Sequence, residues 1–485
     1  MPDSTSCSHP TFYQALRSRD RRFDGAFFVG VKSTGIYCRP VCPSRTPLLR
    51  NCRFFPLAAL AQAAGFRPCL RCRPEVAPAR HRAAADSLAT QLVRLLREAA
   101  LEGRRVEDVA RPAGWSVRQL RRKLVTECGL APGAIMQTER LLFAKRLLHD
   151  TALPMSGVAL SAGFRSVRRF NAVFAEKCGV RPGAIRRGRE AEPPPDTIRL
   201  RLDYRAPYAW TEMLDWLRAR ATRGVETVTA EAWTRTVRLG DREGWLRVFQ
   251  DERSDALMVE LTPALAPVLP QIVRRLRELF DLDANPAETQ PIFAKDALIG
   301  PVLRLHPGLR VPGAWDVFES AVRTVLGQQV TVAAASTIAA RLVQKFGAVC
   351  APNEHGLTHF AATAAALAAA REEEIARLGM PAKRALALQH LARHALAGGL
   401  DFSPFATLAE ASASLASLPG IGPWTADYIA LRALRYPDAF PAGDLGLRKA
   451  IGRGTVVSAA SAEAASQPWR PWRAYAAALL WQSLA

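Results

Sequence analysis

Two short pairs of cysteines near the start of the chain constrain its fold more than any other feature. Cys38 and Cys42 enclose three residues, and Cys69 and Cys72, which follow after a loop, enclose two. Four thiols in this arrangement are typical of a tetrahedral zinc site with four sulfur ligands. So short a segment buries little apolar surface, so the metal supplies much of its folding free energy. The spacing predicts one zinc ion in a first domain over residues 1–80.

The spacing leaves the role of this zinc open. Most four-thiolate zinc sites only hold structure. A zinc-bound thiolate nevertheless stays deprotonated at neutral pH and remains a nucleophile. Arginines near the cysteines are placed to hold a phosphate beside such a thiolate; they are Arg39, Arg45, Arg67, Arg71 and Arg73. A structural zinc and a reactive zinc thiolate are both compatible with the residues.

The positive charge of the chain is concentrated in its first part. The formal net charge is +22, and residues 1–190 contain 34 basic against 14 acidic residues, whereas residues 191–485 contain 32 against 30. Such a concentration predicts a polyanionic partner, most simply double-stranded DNA. No apolar run is long enough to cross a bilayer, and the N-terminus lacks a signal-peptide pattern. We therefore expect a cytoplasmic protein that has no membrane contact.

A chain of 485 residues is too long for a single core, and a proline-rich segment and an internal repeat indicate several domains. Three consecutive prolines at residues 190–196 predict a stiff linker at the point where the charge changes. Before it, residues 117–135 recur at an offset of 50 as residues 167–185. Apolar residues three and four apart, with a glycine before the second helix of each unit, predict a tandem helix-turn-helix domain over residues 83–189. Its second helices carry the candidate DNA-binding residues Arg118, Arg121, Arg122, Arg168 and Arg169.

These two segments resemble a known pair of domains. KSTGIYCRPVCPSR followed by GFRPCLRC is similar to the N-terminal domain of the Ada family of bacterial methylation sensors, and the helix-turn-helix repeat resembles an AraC-type module. The resemblance implies that the Cys38 thiolate accepts a methyl group from a methylphosphotriester in DNA, while Cys42, Cys69 and Cys72 complete the zinc site. Arg45 and Arg67 are then candidate DNA contacts. Methylation makes the site less negative, which would tighten promoter binding and activate transcription by RNA polymerase.

The remainder of the chain divides into a mixed and a helical part. TIRLRL, TRTVRLG and WLRVFQ have strand-like alternation, and YAWTEMLDWLRARA has the periodicity of an amphipathic helix. We predict a mixed α/β domain over residues 197–305 and an all-α domain over residues 306–485. The fold class is therefore multidomain α+β, with a small zinc domain and an all-α tandem helix-turn-helix before these two domains.

Two features of the last domain bear on chemistry. The glycines of Pro419-Gly420-Ile421-Gly422 lie between helices and can present backbone N–H groups to a phosphate. Asp444 follows about twenty residues later. A single aspartate here either caps the next helix or stabilises a positively charged sugar, and composition alone favours the cap.

Together the hairpin and the aspartate resemble the helix-hairpin-helix glycosylase superfamily. Segments such as GLRVPGAWDVFESAVRTVLGQQVTVAAAS and WRPWRAYAAALLW are similar to AlkA-type 3-methyladenine DNA glycosylases. The resemblance implies that Asp444 is catalytic and that aromatic side chains line the cleft for a flipped base; these are Trp424, Tyr428 and Trp472. Gln329 occupies the position at which AlkA carries a leucine that is inserted into the DNA base stack, so it is a candidate DNA contact.

The same resemblance specifies the type of glycosylase. Glycosylases that also nick DNA carry a lysine just after the hairpin, where this chain has Trp424, so we expect a monofunctional enzyme. No cysteine follows Cys350, so no iron–sulfur cluster is expected. The main interpretation is a monomeric sensor and regulator joined to an alkylated-base glycosylase. The alternative is a zinc-containing AraC-type transcription factor whose glycosylase-like half is an inactive scaffold.

Overall fold

The computed structural model describes residues 9–81, 87–186, 197–403 and 405–484. The predicted proline linker at 190–196 lies outside these residues. The four predicted parts are all present as structural units, and each is described below from the N-terminus.

The zinc domain is a small sheet with a helix packed against it. Four strands pair in the order β3-β1-β2-β4, and β2 and β4 run parallel. The thiols come from this sheet and its loops, since Cys38 ends β2 and Cys69 follows β4. The elements are α1 His9–Ser18, β1 Phe28–Val31, β2 Ile36–Cys38, β3 Cys52–Phe55, α2 Ala58–Ala63 and β4 Arg67–Pro68.

The next unit confirms the tandem helix-turn-helix. Ser116 and Ser166 cap the second helix of each repeat, and Gly129 and Gly179 end it with φ of 69° and 71°. Only a residue that tolerates the left-handed region ends a helix in this way, which explains the repeated glycine. The helices are α3 Leu88–Leu101, α4 Val106–Ala110, α5 Val117–Cys128, α6 Pro132–Asp150, α7 Met155–Ser161, α8 Val167–Cys178 and α9 Pro182–Arg186.

The mixed domain is a five-stranded antiparallel sheet with helices against it. The strand order is β5-β9-β8-β7-β6, so the first strand pairs with the last. The sheet shares one buried apolar cluster with the second helix-turn-helix unit, including Leu147, Phe170, Leu200 and Leu202. Its elements are β5 Ile198–Asp203, α10 Trp210–Arg220, β6 Glu226–Val228, β7 Ala232–Leu239, β8 Arg242–Asp251, β9 Ala256–Leu261 and α11 Leu269–Leu279.

The last unit is helical and holds two buried clusters. Phe293 of α12 and Ile299, which directly precedes α13, belong to the same cluster as the C-terminal helix α23, and Val302 of α13 packs against it. These two helices therefore pack with the helical unit, although the predicted boundary lies after them at 305. The helices are α12 Pro286–Phe293, α13 Gly300–Leu305, α14 Val317–Leu326, α15 Val332–Phe346, α16 Ala364–Ala369, α17 Glu372–Ala376, α18 Ala382–Leu396, α19 Leu408–Ala416, α20 Pro423–Arg432, α21 Leu445–Ile451, α22 Ala459–Ser466 and α23 Arg473–Gln482.

The zinc domain contacts both of its larger neighbours through buried polar groups. The Lys145 ammonium, on α6, donates to Glu75 at 2.6 Å and to the Cys69 carbonyl at 3.0 Å. On the other side, the Arg39 guanidinium lies between Asp24 and Asp203, and Asp203 belongs to β5. The thiol-bearing segment is therefore held from two sides, once by the helix-turn-helix unit and once by the mixed domain.

Candidate active site and zinc centre

A cavity of about 920 Å³ lies between the mixed domain and the helical domain. One wall comes from α10 and the sheet, and the opposite wall from α14, α15, α20 and the start of α21. The volume exceeds that of one nucleobase several times, and a cleft between two units is where a ligand site is expected. The predicted residues Gln329, Trp424, Tyr428 and Asp444 all line this cavity.

Asp444 is held in the cavity by three N–H donors. Trp424 Nε1 donates to Oδ2 at 3.1 Å, and Trp481 Nε1 donates to Oδ1 at 3.0 Å. Oδ1 also accepts the backbone N–H of Leu447 at 3.0 Å, so Asp444 caps α21 as well. All three partners only donate, which matches a carboxylate, because a carboxylate only accepts. Asp444 therefore caps α21, and the same carboxylate also lines the cavity.

Four aromatic side chains that line the cavity form a series of ring contacts beside this carboxylate. The ring centroids of Trp424 and Tyr428 are 5.6 Å apart, those of Tyr428 and Trp481 are 5.7 Å apart, and those of Trp216 and Trp481 are 5.3 Å apart. The Arg220 guanidinium lies 3.4 Å from the Trp216 ring centroid. Aromatic faces at these spacings offer stacking surfaces for an electron-poor base.

Trp472 does not belong to this site, and its assignment to the base pocket was wrong. It is buried, 5% exposed, and stacks on the His81 ring at 4.5 Å with an interplanar angle of 10°. Trp472 precedes α23 as its N-cap residue, whereas Trp481 lies in the last turn of α23, where its indole donates to Asp444. The tryptophan that faces the cavity is therefore Trp481.

The hairpin and Gln329 lie together beside the cavity. Gly420 has φ of 82°, and a Cβ there would lie 2.5 Å from the Ala387 Cβ, so glycine is required by both conformation and space. The Gln328 amide donates to the Gly420 carbonyl at 2.9 Å, which ties the loop before α15 to the hairpin. Gln329 is exposed and adopts φ of 56°, a conformation that side-chain-bearing residues rarely adopt. Gly422 is exposed at the start of α20.

The four predicted zinc ligands form one buried group. The sulfur atoms of Cys38, Cys42, Cys69 and Cys72 lie within 4.8 Å of one another. Backbone N–H groups point at two of them, since Arg39 donates to Cys72 Sγ at 3.3 Å and Arg71 donates to Cys69 Sγ at 3.3 Å. Hydrogen bonding with the Cys38 thiol lowers the pKa of Cys42, and lowers that of Cys69 to about 6. Converging thiols with N–H donors fit a tetrahedral zinc, which would take the place of the shared protons.

The arginines near the cysteines do not form one phosphate-binding shell. Arg39 is 7% exposed and bound by Asp24 and Asp203, and Arg73 pairs with Glu75 and Asp150. These two guanidinium groups join domains and are not free for DNA. Arg45 and Arg71 are exposed. Arg67 is exposed as well but lies against Gly179, at the end of the second recognition helix.

The candidate DNA-binding residues of the repeat lie on the surface. Arg118, Arg121 and Arg122 are exposed on α5, and Arg168 and Arg169 are exposed on α8. The opposite face of each helix carries the core residues, Leu120 and Leu124 in one and Phe170 and Phe174 in the other. A basic helix that is free on its outer face fits the major groove.

Sequence reasoning missed three residues of the cavity. Trp216 and Arg220 come from α10, more than two hundred residues before Asp444, and no local motif joins them to it. Trp481 lies in the same short segment as Trp472, and nothing in the local sequence shows which of the two indoles faces Asp444.

Sequence models of four families match this chain in order. They are the metal-binding domain of Ada at residues 11–75, a helix-turn-helix domain at 109–188, the AlkA N-terminal domain at 199–316, and the HhH-GPD superfamily base excision DNA repair protein at 322–473. A regulator with a zinc centre is thus joined to a base-excision repair fold.

Similar proteins extend this result to the whole chain. The probable bifunctional transcriptional activator/DNA repair enzyme AlkA of Mycobacterium tuberculosis is 37% identical, over 97% of this chain and 96% of its own length. The chain belongs to this family of bifunctional transcriptional activator/DNA repair enzymes. DNA-3-methyladenine glycosylase 2 of Escherichia coli is 35% identical, over 58% of this chain and 95% of its own length. The solved 3-methyladenine DNA glycosylase of Archaeoglobus fulgidus shares the fold, with a TM-score of 0.51 and 24% identity over 58% of this chain and 96% of its own.

These matches confirm the predicted fold class, a DNA-binding protein and a single four-thiolate zinc centre. Among the residues that the structure describes, no helix is both long and apolar enough to span a membrane.

Proposed function

We propose that the chain excises alkylated bases of the 3-methyladenine type from double-stranded DNA by hydrolysing the N-glycosidic bond. The observation that carries this proposal is the Asp444 carboxylate, fixed by two indole N–H groups inside an aromatic cavity. A flipped base stacks between the aromatic rings, and the carboxylate stabilises the oxocarbenium-like sugar as the bond breaks. Water then adds to C1′. Trp424 stands just after the hairpin, where glycosylases that also nick DNA carry a lysine, so the reaction is expected to stop at the abasic site.

A base-release assay tests this activity. Wild type and Asp444→Asn are compared on methylated duplex DNA under single-turnover conditions. The variant keeps the size of the side chain and the cap of α21 but removes the negative charge. We expect release by wild type and at least a 100-fold slower rate for the variant, as is typical for loss of a transition-state charge. Equal traces from both proteins would instead support the alternative of an inactive scaffold within a transcription factor.

We also propose that Cys38 accepts the methyl group of a DNA methylphosphotriester. The four sulfurs are equally buried, so access does not distinguish them. Hydrogen bonding does, because Cys69 and Cys72 accept backbone N–H groups and Cys42 pairs with Ser44. Within the described part of the chain, Cys38 receives no hydrogen bond from outside the thiol cluster. A thiolate with fewer donors keeps more charge on sulfur, which favours Cys38 as the nucleophile.

Tandem mass spectrometry after incubation with methylphosphotriester DNA tests the sensor. We expect one added methyl group, localised by fragment ions to Cys38. Methylation of Cys42 would assign the nucleophile to a different ligand, and an unmodified cluster would leave the zinc as purely structural. Cys52, which lies outside the cluster, serves as the internal control thiol and should stay unmodified.

The regulatory part of the proposal concerns promoter DNA. The exposed arginines of α5 and α8 support major-groove binding, and methylation of Cys38 would lower the negative charge near the DNA and tighten it. RNA polymerase would be the partner in activation, and the protein would act as a monomer of 52.9 kDa. Promoter affinity measured before and after methylation checks the first point: equal affinities would contradict it. Transcription of a reporter gene by purified RNA polymerase checks the activation. Light scattering checks that the protein is a monomer.

A further inference from the structure

Tyr428 carries a hydroxyl whose hydrogen is not used by the protein. Arg432 Nη1 donates to the Tyr428 oxygen at 3.3 Å. Arg432 cannot turn away, because its Nε and Nη2 donate to the carbonyls of Pro312 and Gly313 at 2.6 and 2.7 Å. A guanidinium only donates, so the phenol oxygen is the acceptor in this pair. The phenol hydrogen must therefore point elsewhere.

The surroundings of Tyr428 offer this hydrogen no acceptor. Its cationic neighbours are Arg432 on its own helix, Arg220 on α10 and Arg323 on α14. Trp424 and Trp481 meet its ring, and their N–H groups are occupied by Asp444. Among the residues that the structure describes, none accepts the Tyr428 hydroxyl. The hydrogen of the Tyr428 hydroxyl is therefore available to an acceptor atom of a ligand in the cavity.

Charge makes this hydroxyl a better acid than an ordinary phenol. Burial raises the pKa of Tyr428, but the positive charges of Arg432 and Arg220 outweigh burial, and the pKa lies below its usual value. The negative charge of Asp444, at the start of α21, raises the pKa of Tyr428, but by less than the two arginines lower it. The phenolate that remains after proton loss would be stabilised by the same two guanidinium groups.

A proton donor matters for one class of lesion only. A base that is cationic in DNA takes the bonding electron pair and leaves uncharged. A base that is neutral in DNA leaves as an anion unless it gains a proton. We propose that Tyr428 donates its hydroxyl proton to a ring nitrogen or carbonyl oxygen of a flipped, neutral purine lesion as the C1′–N9 bond breaks. This inference rests on the proposed glycosylase function and extends it to neutral bases.

The step balances without a further reagent. The C1′–N9 electron pair moves to the base while the phenol proton moves to its acceptor atom, so the base leaves neutral. Water adds to the oxocarbenium carbon and releases one proton. Tyr428, left as a phenolate beside Arg432 and Arg220, regains a proton from solvent. The net reaction is hydrolysis, which is the proposed activity of the site.

Tyr428→Phe tests the proposal, because it keeps the ring and removes only the hydroxyl. Two duplexes are compared, one with a single hypoxanthine, which is neutral, and one with a single 7-methylguanine, which is cationic and of similar size. We expect at least a 100-fold slower release of hypoxanthine, the lower end for general acid catalysis, and a loss of less than about tenfold for 7-methylguanine, because the ring on which the base stacks is kept. The second substrate also shows that the variant is folded. Tyr436→Phe is the control, since its hydroxyl donates to the Ala406 carbonyl at 2.7 Å and does not line the cavity.

Each other outcome overturns the inference. Equal losses on both substrates would make Tyr428 a packing residue, and no loss on either would show that its hydroxyl is not used. Wild type that releases 7-methylguanine but no hypoxanthine would contradict this inference alone, whereas release of neither would contradict the proposed function as well. A pH profile adds a second readout. Hypoxanthine release by wild type should fall at a pH below the ordinary tyrosine range, and this alkaline limb should be missing in Tyr428→Phe.

Discussion

The guanidinium of Arg39, the residue after Cys38, lies 3.2 Å from the carboxylate of Asp203 on strand β5. Both side chains are buried, and Arg39 also donates to the Cys72 carbonyl at 3.2 Å. One side chain thus connects the zinc knot to the sheet of the glycosylase half, across 164 residues of sequence.

Removal of Asp203 should destabilise the whole protein. Asp203→Ala leaves the buried Arg39 with Asp24 as its remaining carboxylate partner among the described residues, so the loss should stay below the roughly 3–5 kcal/mol of a buried charge without any partner. Asp255→Ala is the matched control, because Asp255 also joins the zinc domain to this sheet, through Arg21, but that pair is exposed and contributes at most about 1 kcal/mol. Thermal unfolding should show a clear fall in Tm for Asp203→Ala only. Equal shifts would mean that the two domains do not depend on the buried pair.

Loss of either indole N–H beside Asp444 should slow base release. Trp424→Phe and Trp481→Phe keep an aromatic face and remove one donor each, so the carboxylate is less firmly positioned. We expect about a tenfold slower single-turnover rate for each, as for loss of a hydrogen bond to a charged group of about 1.5 kcal/mol. Trp469→Phe is the control, since Trp469 donates to Asp296 at 2.8 Å outside the cavity. A rate loss in the control as large as in the two variants would contradict a specific effect.

Removal of zinc should unfold the first domain. The thiol-bearing segment is held by Lys145 and Arg39 through the carbonyls of Cys69 and Cys72, so loss of the metal should also loosen both interfaces. We expect one zinc per chain by elemental analysis, and a lower Tm with faster proteolysis after chelation. Cys69→Ser should lose the metal, whereas Cys52→Ser should keep it. A chelated protein with unchanged Tm would rule out a folding role for the ion.

Acid should weaken the fold through His149. Burial lowers the pKa of His149 to about 4, and the charges of Arg73 and Lys145 act in the same direction, while Glu75 and Asp150 oppose them. In the unfolded chain the pKa returns to about 6.5. Between these two values the unfolded chain binds more protons, so stability falls as the pH decreases from about 6.5 to about 4. His149→Gln should lose less Tm than wild type over this window, and parallel curves would contradict the assignment.

Local sequence patterns predicted those parts of the site that depend on spacing within one segment. The spacing of the two cysteine pairs predicted that their four thiols meet at one site. The 50-residue offset predicted two equivalent helix pairs, each with the same capping serine and glycine. The hairpin and Asp444 are likewise close in sequence, so a motif describes them.

Contacts between distant segments did not follow from the sequence. The partner of Arg39 is an aspartate among many on the far side of the proline segment, and nothing in its neighbours marks it. The exchange of Trp472 for Trp481 has a different cause, because both indoles lie in one short segment and differ in the residues that pack against them. Trp472 meets His81, a residue of the segment that follows the zinc knot. Such packing partners are set by the assembled fold.

The apolar cluster common to the second helix-turn-helix unit and the β5–β9 sheet has a consequence for protein engineering. Leu147 and Phe170 on one side and Leu200 and Leu202 on the other belong to one buried cluster. Dividing the gene at the proline segment would give two polypeptides that each expose an apolar surface, and such surfaces favour self-association. Co-expression of the two fragments should restore solubility where separate expression does not. We therefore expect the two halves of the chain to depend on each other for folding.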